Sequence, residues 1–342
     1  MTKSLNLGFG EIHNLLFKSY LPNIINAAIE VSVFETLMNE SLNYIELSEK
    51  INTDQRITES LLEVLLSIHL VQKKDDKYTL TVQSKEYLTQ RSDSNQLEAI
   101  KRFIVNEGPF CKLAHVLKGN VPDFNQNIWS TEESIKKIEQ GSKTGAIQNV
   151  VAFVKEMPAF KNAVKMCDFA GNSGYYSFAL LNENKELYAS VYDLKEVCEI
   201  ARMIKKDEPD FNRISYHAFD LTKEESWGNN YDFFFSSHYL YKYVETEESL
   251  TSILKQINKS MKLGGLFVSN HMSGDFNAET QTTISIIELR TRAMGFPSHC
   301  IPKEFFKRAL SKAGFGEFHM QEPKFTLDYP TLLLAAIKIK EA

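Results

Sequence analysis

The chain has 342 residues, 43% hydrophobic and 24% charged, a globular composition that excludes wholesale disorder. A formal net charge of −5 argues against a general binder of nucleic acid or of anionic membranes. No run of about 18 apolar residues occurs, so no membrane contact through a spanning helix is expected.

The length suits two or three domains. The first residues, MTKSLNLGFGEIHNLLF, lack a continuous apolar core and a small-residue cleavage site, so no signal peptide is expected. Cys111, Cys167, Cys198 and Cys300 are scattered with no CxxC, which fits a reducing compartment, the cytoplasm, and offers no cysteine metal site.

In chain order, residues 11–38 carry apolar positions at helical spacing: Ile12, Leu15, Leu16, Leu21, Ile24, Ile25, Ala28, Ile29, Val33, Phe34 and Leu37. These faces are broad, so the helices are expected to be buried. Helices follow over Tyr44–Lys50 and Ile57–Leu70, then a hairpin over Val71–Thr81 with a charged turn. Helix–turn–helix plus hairpin is a winged-helix pattern. A DNA-reading helix needs basic or polar residues facing the groove. Here Glu59 and Glu63 accompany many leucines, which disfavours phosphate contacts. Packing against a partner chain or a second domain is the better expectation, and a transcription regulator would rest on the winged helix alone.

Residues 95–160 read as mostly helical, with helices over Phe103–Gly108, Phe110–Leu117 and Ile135–Phe153 and a break at Lys118–Asp123. From Val164 strands and helices alternate. Strands are predicted over Val164–Phe169, Leu187–Tyr192, Arg213–Phe219, Tyr231–Ser237, Leu266–Asn270, Glu317–Met320 and Leu332–Lys340. Helices are predicted over Tyr175–Leu181, Lys195–Lys205, Glu247–Leu263, Glu279–Ala293 and Phe305–Ala313, with Gly264-Gly265 and Gly314 as caps. The pattern predicts a doubly wound α/β domain with its ligand at the carboxyl ends of the strands.

The first of these strands runs into a loop of small residues, Ala170-Gly171-Asn172-Ser173-Gly174. Such a strand–loop–helix unit lets backbone N–H groups approach a ligand. Asp168, Asp193 and Asp220 stand at the ends of three successive strands. Asp193 suits a ribose diol and Asp220 an exocyclic amine, so the three together suggest an adenosine group. The loop lacks G-x-G-x-x-G and a phosphate-binding lysine. An acidic residue before it repels phosphate and tolerates a cationic amino-acid group, which favours S-adenosylmethionine over NAD or ATP.

These residues make the chain similar to the class I S-adenosylmethionine-dependent small-molecule O-methyltransferases of the caffeate, acetylserotonin and bacterial polyketide type. Asp168–Gly174 matches the family's D-x-G-x-G-x-G loop, with Ala170 and Asn172 in glycine positions. Tyr192-Asp193-Leu194 matches its ribose site and Phe219-Asp220-Leu221 its adenine site. Lys262–Gly265 matches "kpgG" and Ala313-Gly314-Phe315 matches "eAGF". The resemblance implies a Rossmann-like catalytic domain over 161–342, a mostly helical winged-helix dimerisation domain over 1–95, and a helical linker over 96–160 contributing to the substrate pocket. It implies a homodimer that binds S-adenosyl-L-methionine through Asp168, Ala170, Gly171, Asn172, Gly174, Asp193, Leu194, Asp220, Leu221, Ser236 and Ser237.

The departures fall in the catalytic positions. Where the family has L-H-D-W, with His as base, this chain has Leu240-Tyr241-Lys242-Tyr243. The two family glutamates align with His271 and His299. In one reading His271 or His299 is the base and Tyr241 orients the acceptor. In another, His271 and His299, with Tyr241 or His238, hold a metal that grips an enolisable substrate, as in carbon methylation of α-keto acids. In a third the histidines only satisfy loop hydrogen bonds, and the protein binds cofactor without transferring methyl groups. By analogy the substrate pocket contains Phe110, Trp129, Phe153, Met157, Met294 and Phe296, which suits a flat aromatic or polyketide-like acceptor, O-methylated, and not a nucleic acid.

Overall fold

The computed structural model describes residues 10–101, 103–104, 109–120, 129–219, 228–274, 280–323 and 331–342. Contacts divide the chain into two compact units, residues 1–106 and 107–342.

The first unit contains α1 (Gly10–Lys18), α2 (Leu21–Glu30), α3 (Val33–Asn39), α4 (Tyr44–Ile51), α5 (Gln55–Ser67), β1 (Val71–Lys74), β2 (Lys77–Leu80), α6 (Val82–Tyr87) and α7 (Leu97–Lys101). Asn43 caps α4 by accepting from the Ile45 and Glu46 N–H groups, and the Glu46 side chain returns to the Asn43 N–H. Asp54 caps α5. The hairpin turns on Asp75 and Asp76, both at positive φ, as a two-residue turn requires to match strand twist. Phe34, Leu37, Leu47, Leu62, Leu65 and Tyr78 form the core. α1 departs from the expected burial: Ile12, Leu15, Leu16 and Phe17 are each more than half exposed, because no described residue covers this stripe.

The second unit begins with a 3-10 turn (Pro109–Lys112), then α8 (Leu113–Leu117), α9 (Glu132–Ser142), α10 (Ala146–Val154) and α11 (Pro158–Lys161). The helix expected over Ile135–Phe153 is thus two, broken where Gly145 takes a φ of +115°. Of the helix expected over Phe103–Gly108, residues 105–108 lie outside the described residues, and 103–104 are turn and bend. Then come β3 (Lys165–Phe169), α12 (Tyr175–Glu183), β4 (Tyr188–Asp193), α13 (Lys195–Lys205), β5 (Ile214–Ala218), β6 (Tyr231–Ser237), α14 (Glu247–Ser260), β7 (Met261–Met272), α15 (Gln281–Ala293), α16 (Lys303–Lys312), β8 (Phe315–Gln321) and β9 (Thr331–Lys338).

The sheet runs β5-β4-β3-β6-β7-β9-β8. β3 to β7 pair in parallel and β9 runs antiparallel to both β7 and β8. Helices cover both faces, so Phe233, Phe234 and Phe235 are all fully buried. Phe234 packs with α14 and α16 residues on one face, and Phe233 and Phe235 with α10 and α12 residues on the other. The strand order reverses at β3, which places the switch point at that strand's carboxyl end. α14 stops at Ser260, short of Gly264-Gly265, because Met261 already pairs with Tyr231 in the ladder. The two glycines therefore lie within β7 and do not cap the helix. A Cβ on Gly265 would meet the Lys262 carbonyl oxygen at 2.8 Å. No helix among the described residues is long and apolar enough to cross a membrane.

Candidate functional site

The loop between β3 and α12 is shaped by three left-handed residues, Ala170 (φ +56°), Asn172 (φ +54°) and Gly174 (φ +77°). Two of the three are not glycine, and for an L-residue this conformation costs about 1–2 kcal/mol. Asn tolerates it best, and here its Oδ1 accepts the Ser173 N–H at 2.8 Å. Gly171 is demanded for a different reason. A Cβ there would stand 2.5 Å from Asp168 Cγ and 2.7 Å from its Oδ2. The loop backbone lies directly on the Asp168 carboxyl.

Asp168 is 1% exposed. Burial raises its pKa to about 7, opposed by a 2.6 Å hydrogen bond from Ser177 Oγ and reinforced by the charge of Asp193. Asp193 ends β4. Its Oδ2 accepts the Asn172 N–H and its Oδ1 the Leu194 N–H, both at 2.8 Å. Each oxygen keeps a second acceptor site for a ligand hydroxyl. Burial pushes its pKa up, and those two N–H groups and Lys242 pull it back. Asp220 and Leu221 lie outside the described residues.

The structure adds residues that sequence reasoning missed. Glu139 on α9, nearly buried, accepts from Ser173 Oγ at 2.8 Å and from Lys205 Nζ at 2.8 Å. The Tyr216 hydroxyl donates to the Ser173 carbonyl at 2.8 Å. The loop is thus braced by α9, α13 and β5, with a charged pair directly behind it. Asn270 on β7 donates to Tyr176 Oη at 3.2 Å and to Ser237 Oγ at 3.0 Å. Neither pattern had a local motif, since each joins residues far apart in the chain.

The expected catalytic positions converge around a second cluster. Tyr241 lies in a 3-10 turn (Leu240–Tyr243) and is 8% exposed. Its ring stacks on His299, with centroids 4.3 Å apart and planes 18° from parallel. Phe296 meets Tyr241 edge-on at 5.6 Å. The His299 ring sits 5.9 Å from that of His238. Its Nδ1 pairs with Thr291 Oγ1 at 2.9 Å, and its backbone N–H donates to Glu288 Oε2 at 2.7 Å. His238, at φ +50°, donates its backbone N–H to the Asn270 carbonyl at 2.8 Å. This places it beside the β7 terminus that carries His271.

His271 is 3% exposed, with Nδ1 3.0 Å from Ser269 Oγ and its ring edge-on to Phe306 at 4.8 Å. Burial lowers the pKa of His238 and of His271 to about 3 and that of His299 to about 4. It raises Tyr241 to about 12, opposed by Arg290. At neutral pH all four are uncharged. Lys242 Nζ lies 4.1 Å from the Tyr239 ring centroid and 5.6 Å from that of Phe296. Burial pulls its pKa down to about 8, against the charge of Asp193. Among the described residues no three His, Cys, Asp or Glu side chains are grouped to hold a metal ion.

Of the expected pocket residues, Phe296 joins the Tyr241 cluster. Met294 follows α15, closing it through N–H bonds to Arg290 and Thr291. Phe153 and Met157 pack on the α10–α12 face of the sheet. Phe110 is 44% exposed on its 3-10 turn, and Trp129 is half-buried. Three polar atoms at the ends of β6 and β7, Ser236 Oγ, Asn270 Oδ1 and His271 Nε2, are buried and have no hydrogen-bond partner among the described residues. Unpaired buried polar atoms are costly; His271 lies on the α16 side of the sheet and Asn270 on the α12 side. A small-residue loop lying on a carboxyl and a ribose-compatible Asp193 fit an adenosine ligand without phosphates.

Residues 13–90 match the model of the O-methyltransferase dimerisation domain. Over 278 residues the chain is 24% identical to an uncharacterised protein of Methanocaldococcus jannaschii, covering 78% of this chain and 70% of that one. Its fold is that of an O-methyltransferase family protein from Burkholderia thailandensis, with a TM-score of 0.76 at 16% identity over 99% of this chain and 100% of the other. Human N-acetylserotonin methyltransferase, solved in complex with S-adenosylmethionine, is similar at a TM-score of 0.75 and 18% identity, with 99% and 100% covered.

Proposed function

We propose that this chain, whose residues 13–90 match an O-methyltransferase dimerisation domain, is an S-adenosylmethionine-dependent methyltransferase acting on the oxygen of a small, flat acceptor. One observation carries the reading: the loop backbone at Gly171 lies on the Asp168 carboxyl while Asp193 holds the Asn172 N–H. That geometry suits a ligand with a diol, and it spends the Asn172 N–H on Asp193 instead of on a phosphate. When bound, the cofactor supplies a methyl group on a positively charged sulfur.

The protein's part is positioning and exclusion of water. Asp193 accepts from the ribose, Asp168 orders the loop, and the family resemblance alone assigns Asp220 and Leu221 to the adenine. Leu194, Ala170, Asn172, Gly174 and Ser237 complete the cradle. Tyr241, His271 and His299 border the acceptor with Phe296 and Met294. The exposed apolar stripe of α1 supports a homodimer through the N-terminal unit, working in the cytoplasm.

Calorimetry with S-adenosylmethionine and S-adenosylhomocysteine, followed by a methyl-release assay over phenolic and polyketide acceptors, tests the reading. Saturable binding of both cofactors with release on at least one acceptor is expected. Absence of cofactor binding overturns it. Binding without any release leaves a cofactor-binding protein.

A further inference from the structure

Ser236 Oγ and His271 Nε2 are both buried and unpartnered among the described residues. They also share one face of the sheet. Ser236 pairs in register with Ser269, and His271 stands two residues beyond Ser269 on the same strand. Side chains two apart on a strand point the same way.

The Ser269 hydroxyl decides the state of the imidazole. If Ser269 donates to His271 Nδ1, the single group left over is the Nε2–H. If Nδ1 donates instead, the Ser269 hydroxyl proton and the Nε2 lone pair are both stranded. The first arrangement leaves one buried group unpaired and the second leaves two, so burial favours the first. The carboxyl ends of β6 and β7 then hold two buried donors, Ser236 Oγ–H and His271 Nε2–H, with no partner among the described residues.

The surroundings are mixed, and their carboxylates are engaged elsewhere: Asp193, which acts on Lys242, accepts the Asn172 and Leu194 N–H groups. Beyond β6 stands His238. From the 3-10 turn come Tyr241 and Lys242, whose Nζ lies by Phe296. From α15, Arg290 acts on both Tyr241 and His299. The carboxylate on that helix, Glu288, is turned to the His299 N–H, Ser298 and Arg292. α16 contributes the apolar Phe306. No described carboxylate is aimed at the two donors, and a neutral imidazole presenting N–H has no lone pair there to take a proton.

We propose that the acceptor enters with its oxygen already ionised, as an enolate or an acidic phenolate, and that Ser236 Oγ–H and His271 Nε2–H receive that oxygen. The inference rests on the methyl-transfer reading and names its substrate class. The balance closes without a base. A lone pair of the oxyanion forms the O–CH3 bond as the C–S bond breaks, and the bond's electron pair stays on sulfur. An anion and a sulfonium become a neutral ether and a neutral thioether, and no proton is left to remove.

The test uses the full chain loaded with S-adenosylhomocysteine and 4-nitrophenol as probe, whose absorption separates phenol from phenolate. Loading is followed by calorimetry, so failure of the cofactor reading shows as no loading. In loaded protein titrated from pH 5 to 9, bound probe is expected to ionise at least about one pH unit below free probe, about tenfold tighter anion binding. With Ser236 assigned to the acceptor instead of to the cofactor, where the family resemblance had put it, Ser236→Ala and His271→Leu should each remove most of that shift, while S-adenosylhomocysteine still binds. Probe bound as neutral phenol, an unshifted or raised ionisation, no probe bound to loaded protein, or a shift intact in both variants overturns the proposal.

Discussion

The ring of Tyr241 lies flat on the imidazole of His299, 4.3 Å between centroids, with Phe296 closing its edge. The stack seals Tyr241, which the sequence aligns with a histidine base of the resembled family, instead of leaving it free. Tyr241→Phe keeps the stack and should change stability by less than about 1 kcal/mol. Tyr241→Ala should cost about 3–5 kcal/mol. Denaturant unfolding of both variants measures the difference, and equal stabilities would show that the stack contributes nothing.

The loop makes opposite predictions at neighbouring residues. Gly171→Ala drives a methyl into the Asp168 carboxyl at 2.5 Å, so it should destabilise by about 1–3 kcal/mol and weaken S-adenosylhomocysteine binding at least about tenfold. Ala170→Gly releases a left-handed alanine at φ +56°. It should stabilise by about 0.5–1 kcal/mol after the entropy cost of glycine. Thermal melts with and without ligand read both.

Asp168 makes stability depend on pH. Folded, it holds its proton up to about pH 7; its ordinary value is 3.8. Between these the folded state binds more protons than the unfolded one, so this contribution is full below pH 3.8 and is lost as pH rises through 7. The total is roughly 4 kcal/mol at 1.36 kcal/mol per unit. Asp168→Asn should flatten that part of the profile. Unfolding free energies of both proteins from pH 4 to 8 measure it, and parallel curves would contradict the assignment.

Glu139 and Lys205 form a pair with side chains 12% and 8% exposed. Glu139→Gln leaves the lysine with the more exposed Glu208 alone and should cost about 3 kcal/mol. Because Ser173 loses its charged acceptor, cofactor-loop affinity should fall with stability. A variant that loses stability but binds S-adenosylhomocysteine unchanged would show that the brace does not reach the loop.

Periodicity was enough to find α13 and β6 at their observed bounds, because each follows a single, local apolar pattern. It misplaced the end of α14, because the pairing of Met261 with Tyr231 is a long-range contact that overrides helical propensity. It also merged α9 and α10, whose apolar faces run on across Gly145. α1 reads as a buried helix from its own residues, and only the folded chain reveals that the stripe is uncovered.

The sequence by itself determined the alternating architecture, the loop after β3 and the acidic residue that follows β4's tyrosine, because these depend on neighbours in the chain. The tertiary structure alone decided that Ala170 and Asn172 take the left-handed turns, that Glu139 stands behind Ser173, and that Tyr241 lies on His299. It also decided that Ser236 and His271 share a face and each leave a buried polar atom unpaired among the described residues. Those facts arise from strand register and burial, which bring distant residues together and set their protonation, and no local spacing encodes them.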